Sequence, residues 1–457
     1  LNVELEQPPA KLSLKFLWSD LVPHIAARGP NCILYWALST PGLPNAELFS
    51  SVLSLRQPFL PQPVQIPNYQ NLILQFNGEL YNSECIDGSD THLFARILSE
   101  HLASTNSVKL AVLETVANLV GEFAYVVYDS LHHTAYFGRD FVGKRSWMYR
   151  EIGNEIVVSS VGAGDGFLEC EAELVYIYSQ GQLETVPFPG EHGSEVRPFV
   201  VNLESELDQL LQGFDEVFVN SCELRLRTIH PLHELGCHIG VLFSGGLDCT
   251  VIAGTIGRIV NSQKGLDGNK VLVDLLTVGF DNPRTQTSSK DSPDRKLARR
   301  SFEELARHFN SEYLEFHLVE VDVLFEEWLR NKDKVLRLIR PCDTEMDLSI
   351  AIAFYFACRG LGTRSSLNNG EFVSILGYKS EALVLFSGLG ADELFAGYLR
   401  HERIFTDLGP NADDKNTQRA YAELGKELTK DIKVIHKRNL GRDDRAMSCW
   451  GKELRYP

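Results

Sequence analysis

Two short stretches of this chain place an acidic residue just beyond a serine-glycine turn, a combination that asks for a phosphate and a metal together. The first, Ser244 to Cys249 (SGGLDC), follows the apolar run Ile239 to Phe243 and opens the periodic segment Val251 to Val260. Strand, glycine turn and helix present backbone N–H groups to an anion. Gly245 and Gly246 let the chain approach a ligand without a Cβ, and the new helix adds unpaired donors and a partial positive charge. Asp248 would repel a phosphate unless a divalent cation such as Mg²⁺ bridges them. A plain glycine turn between a strand and a helix is the competing reading. The second stretch, Ser387 to Tyr398 (SGLGADELFAGY), weighs against it: it follows the apolar run Ala382 to Phe386 and sets Asp392 after the Ser387-Gly388 turn. Loops at the carboxyl ends of two strands in an open parallel sheet face one crevice, so Asp248 and Asp392 are predicted to hold one metal. A Walker-type loop is disfavoured, because Leu247 and Asp248 stand where Lys and then Ser or Thr must follow the last glycine. The expected chemistry is nucleotide binding without γ-phosphate transfer.

A third constellation lies in the first half. Asn77, Gly78 and Glu79 follow the apolar strand Leu72 to Phe76, and Asp90 opens a helix whose apolar positions are Leu93, Phe94, Ile97 and Leu98. One amide and two carboxylates close together suit a small zwitterion. Asn77-Gly78 reads equally as a hairpin turn.

The elements that must carry these residues differ between the halves. Residues 1 to about 200 alternate short apolar runs (Cys32 to Leu38, Phe123 to Val127, Ile156 to Val158) with helices near Asp90 to Leu102 and Val108 to Leu119. Val186 to Pro198, rich in glycine and proline, reads as a linker or a last turn. Beyond it, Leu207 to Leu224 is an amphipathic helix, and the runs Ile239 to Phe243, Val271 to Phe280 and Leu314 to Val321 alternate with helical segments, which predicts a parallel sheet. The polar run Asp281 to Asp294 reads as a mobile loop over the crevice.

The motifs carry a resemblance. SGGLDC resembles the pyrophosphate loop of N-type ATP pyrophosphatases, and with SGLGADELFAGY it resembles the synthetase half of glutamine-dependent asparagine synthetases. Ile339 to Ala351 and Arg438 to Pro457 look most like the asparagine synthetase domain-containing proteins, a eukaryotic branch of that family. The region around Asn77, with Ala27 to Asn31, Gly121 to Asp129 and Gly138 to Tyr149, is similar to class II glutamine amidotransferases.

That resemblance implies an α/β and α+β protein of two domains. Residues 1–200 would form an N-terminal nucleophile hydrolase-like αββα glutaminase domain, and residues 201–457 an α/β parallel-sheet ATP pyrophosphatase domain of adenine nucleotide α-hydrolase-like type. Arg56, Asn77, Gly78, Glu79 and Asp90 would hold glutamine, Arg56 pairing with its carboxylate through a planar fork. Ser244, Gly245, Gly246, Asp248, Cys249, Val278, Ser387 and Gly388 would bind ATP, with Mg²⁺ between the catalytic pair Asp248 and Asp392. Asp347 would face the aspartyl substrate, although Asp before an apolar run is also a favoured helix cap. The implied reaction is adenylation of aspartate with pyrophosphate release, then amidation by glutamine-derived ammonia. A different carboxylate acceptor is a weaker variant. The alternative is an impaired descendant that binds a nucleotide or a protein.

Several positions depart from the pattern or read two ways. The family nucleophile is an N-terminal cysteine whose α-amino group serves as base; this sequence opens Leu1-Asn2-Val3, so a short Met-Cys-Gly-Ile-type start is expected upstream, loss being the other reading. Beyond Arg455 to Pro457 the family continues with PFLD and a helical lysine that binds the adenylate, and these are expected downstream. Cys32 is expected to pack. Cys249 stands where the family has a serine, and a thiol donates weakly. Glu393 reads as a salt-bridge partner of the loop. Arg442, Asp443, Asp444 and Arg445 read as a solvated charge cluster or as a loop-fixing network.

Composition narrows the class. With 44% hydrophobic and 23% charged residues in 457, two or three domains with sizeable cores are possible. The apolar runs fall short of the roughly eighteen residues of a membrane span. Nine scattered cysteines without a C-x-x-C pair fit reduced thiols, and the polar start LNVELEQPPAK has no signal-peptide character, so a cytoplasmic enzyme is expected. A net charge of −17 argues against nucleic acid as a partner.

Overall fold

The computed structural model describes residues 15–39, 46–85, 88–162, 164–190, 203–229, 237–266, 268–368, 370–406 and 414–457. In the first half these form helix α1 (Lys15–Arg28), strands β1 (Cys32–Leu38), β2 (Ala46–Val52), β3 (Val64–Ile66) and β4 (Tyr69–Leu80), and helices α2 (Asp90–Ser104) and α3 (Val108–Ala117). Strands β5 (Gly121–Asp129), β6 (Thr134–Arg139), β7 (Met148–Ile152), β8 (Glu155–Ser159), β9 (Leu168–Glu169), β10 (Leu174–Ser179) and β11 (Gln182–Pro187) follow.

Successive residues of a strand face opposite ways, and β5 is apolar on both faces. Phe123, Tyr125 and Val127 pack with Leu72, Leu74, Phe94, Leu98, Val112 and Val116, burying α2 and α3 against the sheet β11-β10-β6-β5-β4-β3. Ala124 and Val126 point the other way, where Phe137, Tyr176, Trp147, Ile156 and Val158 join the three-stranded sheet β8-β7-β9. Ile73 and Tyr128 meet Leu48 and Trp36 of the pair β1-β2 on that same side. Leu21 and Ile25 of α1 cover Met148, Val161 and Phe167. The layers run helix, sheet, split sheet, helix.

The second half begins with α4 (Leu203–Arg227), β12 (Cys237–Leu242), α5 (Leu247–Gln263), β13 (Val271–Phe280), α6 (Pro293–Phe309) and β14 (Leu314–Val323). It continues through α7 (Phe325–Ile339), α8 (Glu345–Arg359), β15 (Leu361–Asn368), β16 (Glu371–Lys379), β17 (Val384–Phe386), α9 (Ala391–Phe395), α10 (Leu399–Thr406), α11 (Asp414–Ile435), α12 (Gly441–Ser448) and β18 (Glu453–Arg455). Sheet order is β16-β15-β14-β13-β12-β17-β18. The five strands from β14 to β18 in that order are parallel, as the strand-helix alternation predicts. Strands β15 and β16 are antiparallel, a departure from the expected parallel sheet. The connection between them, with Gly370 at φ +84, is too short for the crossover that parallel pairing needs. Leu226, Ile252, Ile256, Phe302 and Leu305 bury one face of the sheet, and Leu338, Ile352, Phe356, Ala446 and Met447 bury the other.

Val186 and Pro187, expected in a linker, finish β11; residues 191–202, which hold the anticipated boundary near 200, lie outside the described residues. Asp281 to Asp294, expected to be a loop, is organised by paired backbone bonds between Asn282 and Thr287 and by Ser289 N donating to Asp281 Oδ1 at 2.8 Å.

Charged groups join the halves. Arg225 of α4 donates to Glu122 Oε1 at 3.0 and 2.7 Å, Ser146 N donates to Asp444 Oδ2 at 3.0 Å, and Arg445 pairs with Glu169. Residues Arg442 to Arg445 are buried throughout, so they form the fixing network and not a solvated cluster.

Candidate active sites

Strands β12 and β17 are parallel neighbours, and a glycine loop leaves the carboxyl end of each. Gly245 has φ +83, and a Cβ there would sit 2.5 Å from the Ala298 backbone nitrogen of α6, so both conformation and space demand glycine. Ser301 Oγ of α6 donates to Gly245 O at 2.9 Å and steadies the turn. Gly246 is the N-cap of α5, and Asp248 lies exposed in its first turn. Ser244 Oγ accepts from Gly246 N at 3.3 Å, and Cys249 Sγ donates to Gly246 O at 3.3 Å, so the thiol serves the loop backbone.

The second loop abuts the first: a Cβ on Gly388 would lie 2.9 Å from Asp248 Cβ. Ser387 N donates to Arg455 O at 3.0 Å, tying this loop to β18. Asp392 is in the first turn of α9, and a Cβ on Gly397 would collide with its Oδ1, so Gly397 leaves room for the carboxylate. Partial burial and the negative charge of Asp248 raise the pKa of Asp392. Two carboxylates that feel each other across facing glycine turns are the oxygen donors that suit a hard cation such as Mg²⁺. Glu393, expected to salt-bridge, instead accepts from Tyr398 OH at 2.6 Å and Asn439 Nδ2 at 2.7 Å. Val278 is half-buried toward the carboxyl end of β13.

Asp347 lies apart from this pair in its bonding. Thr344 is the N-cap of α8, and the two side chains close a capping box: Thr344 Oγ1 and N both donate to Asp347 Oδ2, at 2.6 and 3.3 Å, and Asp347 N donates back to Thr344 Oγ1. Its Oδ1 accepts from Arg442 Nη1 at 2.7 Å. Burial would raise the Asp347 pKa, but the bonds from Thr344 and Arg442 outweigh it and lower the net value.

The first-half residues gather at a cavity of about 510 Å³, lined by Arg56, Asn77, Gly78, Glu79 and Asp90 and also by Lys452 and Glu453 of the second half. Asn77 and Gly78 lie inside β4, paired with Ala124 and Phe123, which rules out the hairpin turn. A Cβ on Gly78 would meet Glu122 O at 2.1 Å. The Asn77 Nδ2 group is buried without a hydrogen-bond partner, a donor left for a ligand. Arg56 donates from Nε to Glu79 Oε2 at 2.7 Å, stands 3.1 Å from Asp90 Oδ2, and donates from Nη2 to Leu80 O at 2.6 Å. Its guanidinium thus binds the two candidate carboxylates directly. Asp90 Oδ1 accepts from Leu80 N at 2.7 Å, and burial pushes its pKa up to about 6.

Two residues, Glu453 in this wall and Arg455 behind it, had no separate reading in the sequence. Arg455 Nη2 reaches Glu79 Oε1 at 3.1 Å, and Arg455 Nε donates to Glu453 Oε1 at 2.8 Å. Burial, with the nearby Glu79 charge, pushes Glu453 up to about 7 against the opposing pull of Arg145 and Arg455. Only the motif containing them signalled their importance, because the juxtaposition with Glu79 comes from tertiary packing.

Comparison with known proteins accords with this arrangement. Residues 56–163 match the glutamine amidotransferase domain, and residues 214–410 match asparagine synthase. An asparagine synthetase domain-containing protein of Saccharomyces cerevisiae is 39% identical over 450 residues, covering 96% of this chain and 79% of that protein. Asparagine synthetase domain-containing protein 1 of Homo sapiens is 25% identical, over 96% of this chain and 83% of its own. The glutamine-hydrolyzing asparagine synthetase of Bos taurus is 24% identical, over 95% and 71%. With a glutamine amidotransferase domain, then an asparagine synthase domain, and a relative this similar along nearly the whole of this chain, the chain belongs to the asparagine synthetase domain-containing proteins.

Proposed function

We propose that this chain is an ATP- and glutamine-dependent amidotransferase that adenylates the side-chain carboxylate of aspartate and amidates it to asparagine. The observation that carries this is the apposition of Gly388 and Asp248, which sets two acidic glycine turns against each other at one crevice. The backbone of Ser244 to Cys249 cradles the ATP phosphates, and Ser387, Gly388 and Val278 border adenine and ribose. Asp248 and Asp392 hold Mg²⁺, which when bound neutralises the departing pyrophosphate. The aspartate carboxylate attacks the α-phosphorus, and ammonia then displaces AMP. Asp347, fixed by Thr344 and Arg442, borders the aspartyl end.

The first unit, to about residue 200, is proposed as a glutaminase of N-terminal nucleophile hydrolase type, supported by its helix-sheet-sheet-helix layering; residues 201–457 form the pyrophosphatase unit. Asn77, Gly78, Glu79 and Asp90, with Arg56, hold glutamine. Glu453 lines the same cavity, its carboxyl raised to about 7 by burial, and is the titratable group at the ammonia-producing end.

Full-length protein with ATP, Mg²⁺ and ammonium is expected to release pyrophosphate in an aspartate-dependent manner, and Asp248→Asn to abolish it. Release unaffected by that change, or no release with any amino acid, would overturn the synthetase assignment. Glutamate formation from glutamine tests the first unit separately. A second reading, a nucleotide- or protein-binding descendant, is favoured by the commitment of Arg56 to Glu79, Asp90 and backbone carbonyls. ATP binding by equilibrium dialysis without turnover would support it.

A further inference from the structure

The parallel sheet has a second polar cluster, at the end of its strands away from the nucleotide loops. His238 is the second residue of β12, Asp274 the fourth of β13 and His317 the fourth of β14. The register pairs Asp274 with His317 and with Gly240, two residues beyond His238. Period-two alternation therefore puts all three side chains on one face, and the space over Gly240 is filled by Leu385 and Ala382. Among the described residues this is the group of histidines, cysteines and carboxylates whose donor atoms converge, all within 4.8 Å of one another. Asp274 is fully buried and His317 2% exposed. Tyr378 of β16 adds its hydroxyl, 3.0 Å from Asp274 Oδ2 and 3.3 Å from His238 Nε2.

We propose that His238 Nε2, His317 Nδ1, Asp274 and the Tyr378 hydroxyl form a structural site for a divalent transition ion of the Zn²⁺ type. Metal-ligand bonds of about 2.0–2.2 Å in tetrahedral geometry hold neighbouring donors about 3.3 Å apart. Here His317 Nδ1 is 3.1 Å from Asp274 Oδ1 and the Tyr378 hydroxyl is 3.3 Å from His238 Nε2, while His238 Nε2 is 3.5 Å from the other Asp274 oxygen, Oδ2.

The outer nitrogens strengthen the assignment. His317 Nε2 faces Glu315 Oε1 at 3.2 Å, and His238 Nδ1, which has no hydrogen-bond partner, faces Glu381 Oε2 at 3.8 Å. A metal-bound imidazole directs its other N–H to a carboxylate as His317 does toward Glu315. Glu381 is 56% exposed, which gives an ion a route in from solvent. The ion would bind three parallel strands and the β15-β16 hairpin into one unit.

The test is titration of tag-free, metal-stripped full-length protein with Zn²⁺ or Co²⁺ alone. One equivalent per chain is expected, and the Co²⁺ form should show the visible absorption of a tetrahedral site. His317→Asn should lose the equivalent, and Glu315→Gln should weaken binding roughly 10–100-fold. Asp248→Asn and Asp392→Asn should keep it, which separates this site from the nucleotide crevice. Circular dichroism checks folding; should His317→Asn not fold, Glu315→Gln decides alone. No bound equivalent at micromolar ion, or undiminished binding by a folded Glu315→Gln or His317→Asn protein, overturns the proposal.

Discussion

A carboxyl group with an ordinary pKa of 4.5 that sits near 7 inside the fold makes stability depend on pH, and Glu453 is such a group. Between those values the folded state holds a proton that the unfolded chain has released, so its contribution is complete below 4.5 and is lost as pH rises through 7. The shift corresponds to roughly 3 kcal/mol. Glu453→Gln should therefore flatten the fall in unfolding free energy between pH 5 and 8, measured by urea denaturation; an unchanged slope would refute the assignment. Gly397→Ala is a second probe at this scale, because its Cβ meets the Asp392 carboxylate and not a core side chain. Mg²⁺-dependent ATP affinity should fall at least tenfold with little change in stability. Asp248 and Asp392 were legible as a pair because each sits in a local motif, whereas Glu453 and the His238-Asp274-His317 group depend on which strands become neighbours, information absent from any short window.

Elements were read more securely than their edges. The run Val271 to Phe280 matches β13 residue for residue, since a mostly apolar run, interrupted at Asp274 and Thr277 and bounded by polar residues, suits a strand buried on both faces. Strand β4 extends beyond the expected Leu72 to Phe76 through Leu80, absorbing Asn77 and Gly78, because ladder bonds to β5 override the turn preference of Asn-Gly. Gly78→Ala would drive a methyl into Glu122 O and should destabilise the first half by at least 1–3 kcal/mol, seen as a lower denaturation midpoint. The β15-β16 hairpin went unread: its second strand is mostly exposed and lacks the apolar run that marks a buried strand. At α8, Thr344→Ala removes half of the capping box and should cost about 1 kcal/mol. Equal midpoints for the two proteins would show that Arg442 alone orders that turn.

Over the whole molecule, the halves are held by buried charge. Arg445 is fully buried, with Glu169 and Ser146 from the first half on its guanidinium. Arg445→Met leaves Glu169 with Arg139, 3.3 Å away, as its ion-pair partner and should destabilise by about 3 kcal/mol, while the Arg445→Met/Glu169→Gln double variant should recover part of that. Additive losses in the cycle would refute a direct coupling. Among the described residues no helix is long and apolar enough to cross a membrane. The position of β18 carries a last consequence, for timing. Arg455 backs the wall at Glu79, yet roughly four-fifths of the chain separates them in synthesis. A ribosome delivers the first-half pocket long before the strand that backs it, so the nascent amidotransferase-like half waits, unfinished, until the asparagine synthase-like half has been made.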